Sequence, residues 1–202
     1  GLLPGMPPPL DPHDVYAADR AGRVSIAASR ARPLVYVPNS ESNTVDEIDP
    51  RTYKIVRHFS TGALPQHVVP SWDLKTLWVA NDNGNSLTPI DPRTGRHGRR
   101  VPVLDPYNLY FTADGRRAIV VAEAHRELDF RTPHTMKLVK ALHLPRCAGA
   151  DHMDFTADAR LAHREERMRE QVDLGLAITP SDRRIVEGGA DRRVHEGAEH
   201  ER

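Results

Sequence analysis

One unit is written three times between Leu34 and Arg160, and this repeat limits the possible folds more than any other feature of the chain. Asn39 closes "YVPN", Asn81 closes "WVAN" and Glu123 closes "VVAE", two steps of 42 residues. "DPRT" at Asp49–Thr52 returns at Asp91–Thr94 with the same step. A period of about 40–45 residues with four strand-like runs per copy is the signature of a propeller array. Each unit is a small antiparallel sheet that cannot cover its own faces and stacks on its neighbours. The expected fold is all-β: a partial β-propeller of about three four-stranded antiparallel blades over residues 13–160. A Pro-rich arm at 1–12 precedes it, and a charged tail at 161–202 leaves the propeller pattern.

Within each copy the runs fall in a fixed order. "LVYV", "LWVA" and "AIVVA" are short, uncharged and rich in β-branched or aromatic residues, which suits strands buried on both faces. A polar turn follows; in the second copy Asn83-Gly84 is a hairpin signal, since both residue types tolerate positive φ. Thr44–Asp49 and Ser86–Asp91 match position for position, and Pro89 removes a ladder donor, which predicts an edge or a bulge there. Outer strands are expected at Lys54–Phe59, Arg100–Leu104 and Lys137–Leu144, the last favoured over a helix by its place in the repeat. "HVVP", "NLYF" and "HMDF" lead into the next copy, each ahead of an aspartate turn at Asp73, Asp114 or Asp158. Upstream, the apolar runs from Val15 to Ala18 and from Val24 read as one or two further strands.

The pattern is lost after Arg160. No aromatic residue follows Phe155, charge dominates, and "HREERMREQ" has almost no apolar face, so a solvated helix or disorder is expected. A closed seven-bladed ring of this period needs about 290 residues, against the 202 present. A fragment of a longer propeller, or a shifted reading frame after Arg160, is therefore the expectation for the tail.

From "LPGMPPPLDPHDVYAADR" to "DHMDFTADAR", about 160 residues, the chain is similar to the N-terminal part of bacterial YncE-like propellers. Leu34–Arg160 resembles the YVTN-type repeat through "YVPN", "WVAN", "IDPRT", "SWDLKTLWVAND" and "FTADGRRAIVVAE". The resemblance implies seven blades in intact members and a central channel, in which some relatives hold haem. It implies a bacterial protein; an extracytoplasmic location is one option.

Composition excludes several classes of function. Lys plus Arg and Asp plus Glu are both 28, so the chain is formally neutral and lacks the basic excess of a nucleic-acid binder. No apolar run approaches the roughly 18 residues of a membrane span. Cys147 is the single cysteine, which rules out an internal disulfide. C-x-x-C-H, G-x-S-x-G, H-E-x-x-H and phosphate-binding glycine loops are all missing.

One constellation remains. His67, Asn108 and His152 each stand six residues before their aspartate turn. In a propeller the equivalent positions of this innermost strand converge on the channel mouth. Two imidazoles and an amide there suit a metal, held by His67 and His152, or hydrogen bonds to an anionic or carbonyl ligand. Asp151 and Asp154 flank His152 and can orient it. Simple lining of a polar channel is the other reading of the same residues. His13 is a weaker candidate for the cluster, and Cys147 in its turn is expected to be inert. Two functions follow. The first is a non-enzymatic scaffold that binds a small molecule or protein partner at the channel mouth and needs no cofactor. The alternative is a metal- or haem-associated redox or lactonase-like enzyme, for which the sequence offers no acid/base pair.

Overall fold

The computed structural model describes residues 22–112, 114–145, 149–155, 161–164 and 171–173. A helical turn, α1 (Ile26–Ser29), precedes the strands. The first sheet contains β1 (Val35–Asn39), β2 (Thr44–Asp49) and β3 (Lys54–Ser60). The second contains β4 (Pro65–Pro70), β5 (Leu77–Asn81), β6 (Ser86–Ile90) and β7 (Val101–Pro102). The third contains β8 (Asn108–Phe111), β9 (Ala118–Ala122), β10 (Glu127–Arg131) and β11 (Leu138–His143). A fourth contains β12 (Met153–Phe155), β13 (Leu161–Arg164) and β14 (Gln171–Asp173). Every sheet is an antiparallel meander whose strands pair in chain order. The fold is thus a partial propeller, with two four-stranded and two three-stranded blades among the described residues.

The uncharged strands β5 and β9 are buried on both faces, whereas β1, with no stacked neighbour on one side among the described residues, is exposed at Val35 and only half-buried beyond it. In β5 and β9 alternation divides the side chains between two joints. Val79 and Ile90 of the second blade pack on Val45 and Phe59 of the first. Trp78, Ala80 and Leu87 face Leu109, Ala118, Val120 and Met136 of the third. Ile119, Val121, Leu128 and Phe130 in turn meet Ala150 and Met153. Period-two alternation thus gives one short strand two hydrophobic interfaces.

Left-handed residues recur at matching places. Asn43, Asn85 and Arg126 have φ of 58°, 44° and 56°, and Tyr53, Gly95 and Met136 have 56°, 70° and 55°. These steps are 42 and then 41. Strand pairing agrees: Leu77↔Ile90 corresponds to Ala118↔Arg131, a step of 41. The 42-residue match of Asn81 to Glu123 is therefore off by one, and Ala122 holds the equivalent position.

Other expectations need correction. The run from Val24 is not a strand; the Ser25 side chain accepts a bond from Ala28 N at 3.2 Å and caps α1. In the second hairpin Asn85, not Asn83 or Gly84, takes positive φ. Gly84 is needed for space, since a Cβ there would lie 2.5 Å from Ala63 N. Pro89 lies inside the sheet, not at its edge, and its bulge is on the β7 side. There Leu87↔Val101 gives way to an offset bridge, Ile90↔His97, and β7 shrinks to two residues. Strand pairing also continues past Arg160 into β13 and β14. The 1–12 arm, the Val15–Ala18 run, His13, Cys147 and most of 161–202 lie outside the described residues. No helix among the described residues is long and apolar enough to cross a membrane.

Beside its apolar cluster the first joint carries a buried polar patch, where the next joint is apolar throughout. Tyr36 and Arg57 flank Glu47 across the first blade. Glu47 is fully buried, with Arg57 Nε at 3.6 Å and Arg32 Nη1 at 3.7 Å. Burial pushes its carboxyl up, opposed by the charges of Arg57, Arg32 and His97. A Cβ on Gly95 would lie 2.6 Å from Glu47 Oε2, so this turn needs glycine for space as well as for φ. At the next joint the equivalent residues are Trp78, Pro89 and Met136.

Candidate functional site

The site is built from the first strands of consecutive blades. β4 lies against β8. His67 pairs with Ala80, and Asn108 with Val121, the same register one blade on. The sequence alignment of His67 with Asn108 is thus the structural one.

His67 and His152 come together with ring centroids 5.5 Å apart and planes at 80°. Tyr107 completes a triangle, 5.3 Å from His67 and 6.0 Å from His152. His67 Nδ1 lies 2.9 Å from the Tyr107 carbonyl oxygen. A carbonyl only accepts, so Nδ1 carries the proton and Nε2 holds the lone pair of the neutral ring. Asp151 accepts a bond from His152 N at 2.7 Å, and its Oδ1 lies 3.5 Å from His152 Nδ1. That carboxylate favours the same tautomer in His152.

Asn108 stands apart from this group. It is buried, its Nδ2 donates to Tyr110 Oη at 3.0 Å, and its Oδ1 accepts from Leu109 N at 2.8 Å. Tyr110 Oη also accepts from Met153 N at 3.2 Å. Asn108 therefore links the third blade to the start of β12, just after His152, and has no direct place among the rings.

Carboxylates surround the trio. Asp82 follows β5, and Glu123 occupies the equivalent place after β9. Asp82 is hydrogen-bonded to Asp105, which also accepts from His125 N at 3.1 Å. Burial, then the bond and charge of Asp105, then Glu123 push the Asp82 carboxyl up to about 6. The Tyr107 phenol is raised by burial and then by Asp151, Glu123 and Asp82. Among the described residues, the charges that shift Tyr107 and Asp82 are acidic, so the potential around them is negative in a chain with no net charge.

Sequence reasoning missed Tyr107, Asp82, Asp105 and Glu123. Tyr107 lies just outside β8, where strand alternation no longer sets direction. The equivalence of Asp82 and Glu123 emerges only with the 41-residue step. Among the described residues no group of three or more His, Cys, Asp or Glu has the geometry to hold a metal ion.

A family model described as YNCE-like beta-propeller matches residues 6–168. No curated protein matches the chain in sequence. Among solved structures, hydrazine synthase of Kuenenia stuttgartiensis is similar at 18% identity, with a TM-score of 0.59, covering 71% of this chain and 44% of that one. Dihydro-heme d1 dehydrogenase NirN in complex with DHE is similar at 21% identity, with a TM-score of 0.52, covering 72% of this chain and 33% of that one. The chain spans less than half the length of either, and at these identities the likeness concerns the fold alone.

Proposed function

This chain belongs to the YNCE-like β-propeller family, and from that premise we propose that it is a binding propeller that holds a small ligand at its channel mouth. The observation that carries this reading is the meeting of His67, Tyr107 and His152 from three successive blades, with centroids 5.3–6.0 Å apart. Lone-pair nitrogens, a phenol and a rim of carboxylates give the mouth several ways to grip a polar ligand. A shared face between blades holds its geometry because each blade is locked to the next by a hydrophobic joint.

The test is thermal unfolding of the full chain against cobalt(II), spermidine and succinate. At least one probe raises Tm, and His152→Ala removes that shift while Arg96→Ala, in a turn of the second blade, keeps it. Shifts in no probe, or shifts that survive His152→Ala, overturn the reading.

A further inference from the structure

We infer that His67 and His152 form a two-imidazole chelate for a divalent transition-metal ion, whose remaining coordination positions are open to an exogenous ligand. This rests on the mouth reading and gives it a chemistry. A metal–nitrogen distance of about 2.0–2.1 Å, with a ring centre about 1.2 Å beyond the nitrogen, puts two chelating imidazoles about 5–6 Å apart. The observed separation is 5.5 Å.

The second support is the state of the other ring nitrogens. A metal-bound histidine normally gives its remaining N–H to a backbone carbonyl or a carboxylate, which fixes the tautomer and makes the ligating nitrogen more basic. His67 Nδ1 gives its proton to the Tyr107 carbonyl. His152 Nδ1 has the Asp151 carboxylate at 3.5 Å. Both patterns leave Nε2 as the ligating atom. The arrangement spans two blades separated by a third, so it exists only in the folded array.

The third support is the field. Asp82, Asp105, Glu123 and Asp151 make the mouth favourable for a cation. Imidazole nitrogen selects ions of the zinc, copper, nickel and cobalt type over magnesium or calcium, which prefer oxygen. With only two protein nitrogens the ion keeps open positions, as in catalytic rather than structural sites.

Cobalt(II) titration of the full chain tests this, read by visible d–d absorption and by metal content after gel filtration. One ion per chain is expected. His67→Ala and His152→Ala each weaken binding about 100-fold, and Asp151→Asn, which touches only the orienting carboxylate, weakens it about 10-fold. His58→Ala is the control, because His58 is exposed and pairs with Asp46 at 2.6 Å. Unfolding curves of each variant establish that the fold is retained; His152→Gln serves as a second variant at this partly exposed position. Binding as strong in both histidine variants as in the unmodified chain, or no binding to the unmodified chain, overturns the chelate. If spermidine or succinate shifts Tm through His152 while cobalt(II) does not bind, the chelate fails and the mouth reading stands. If no probe acts at all, both fail.

Discussion

Asn81→Ala should be among the most damaging single changes in the chain, and far worse than Asn39→Ala at the equivalent position. Asn81 is fully buried. Its Nδ2 donates to Ser86 O at 3.1 Å and to Thr88 Oγ1 at 2.9 Å. Its Oδ1 accepts from Thr61 Oγ1 at 2.8 Å and from Gly62 N at 3.1 Å. One amide thus ties the β5–β6 hairpin to the link between blades one and two. Alanine leaves Gly62 N without this acceptor. A buried unpaired donor costs about 1–3 kcal/mol, and each remaining lost bond about 1 kcal/mol. The Thr61 and Thr88 hydroxyls, already 2.7 Å apart, satisfy each other. The expected cost is about 3–4 kcal/mol, against a usual domain stability of about 5–15 kcal/mol. Asn39 is half-buried and donates only to Thr44 Oγ1 at 3.2 Å and Asp46 Oδ2 at 3.0 Å. No backbone N–H depends on it, so its removal costs about 1 kcal/mol. Urea unfolding measures both as shifts in midpoint at constant slope. Equal costs for the two variants, or less than about 1 kcal/mol for Asn81→Ala, would refute the hydrogen-bond accounting.

Two further predictions concern charge. Asp129 and Arg131 form a buried pair, with Nη2 to Oδ2 at 2.6 Å, so Asp129→Leu alone costs about 3–5 kcal/mol while Asp129→Leu with Arg131→Met recovers most of that; calorimetric Tm values in the reverse order would contradict it. Asp82 is raised to about 6, whereas an unfolded aspartate titrates near ~3.9. The folded state therefore holds a proton that the unfolded chain has lost, and this contribution is present at pH 4 and fades as pH rises through 6. Asp82→Asn should raise Tm at pH 7.5 by the equivalent of about 1 kcal/mol after solvent screening, with little effect at pH 4; a stabilisation confined to pH 4 would reverse the sign.

The repeat, the strand order within each blade and the approach of His67 to His152 were legible in the pattern of residues. Uncharged β-branched runs at a fixed period bury both faces only by stacking, and stacking brings equivalent positions together. Position along a strand is a local property, so counting back from an aspartate turn picked out His67 and Asn108, which hold the same register in their strands. Which neighbours the imidazoles have depends on contacts between distant segments, which the pattern does not carry. Asn108 shares their register, yet its amide goes to Tyr110, while Tyr107 enters the site from just outside the strand. The 41-residue step, the use of Asn85 in place of Gly84 at positive φ, and the pairing of Leu161–Arg164 onto β12 were likewise hidden. Each depends on contacts between chain segments: the approach of Ala63 to Gly84, the offset at Pro89 and the hydrogen-bonding edge that β12 offers to the next strand. The polar joint at Glu47 follows the same rule. A glutamate in a strand reads as solvent-facing, and only the guanidinium groups of Arg32 and Arg57, brought in from outside β2, make its burial tolerable.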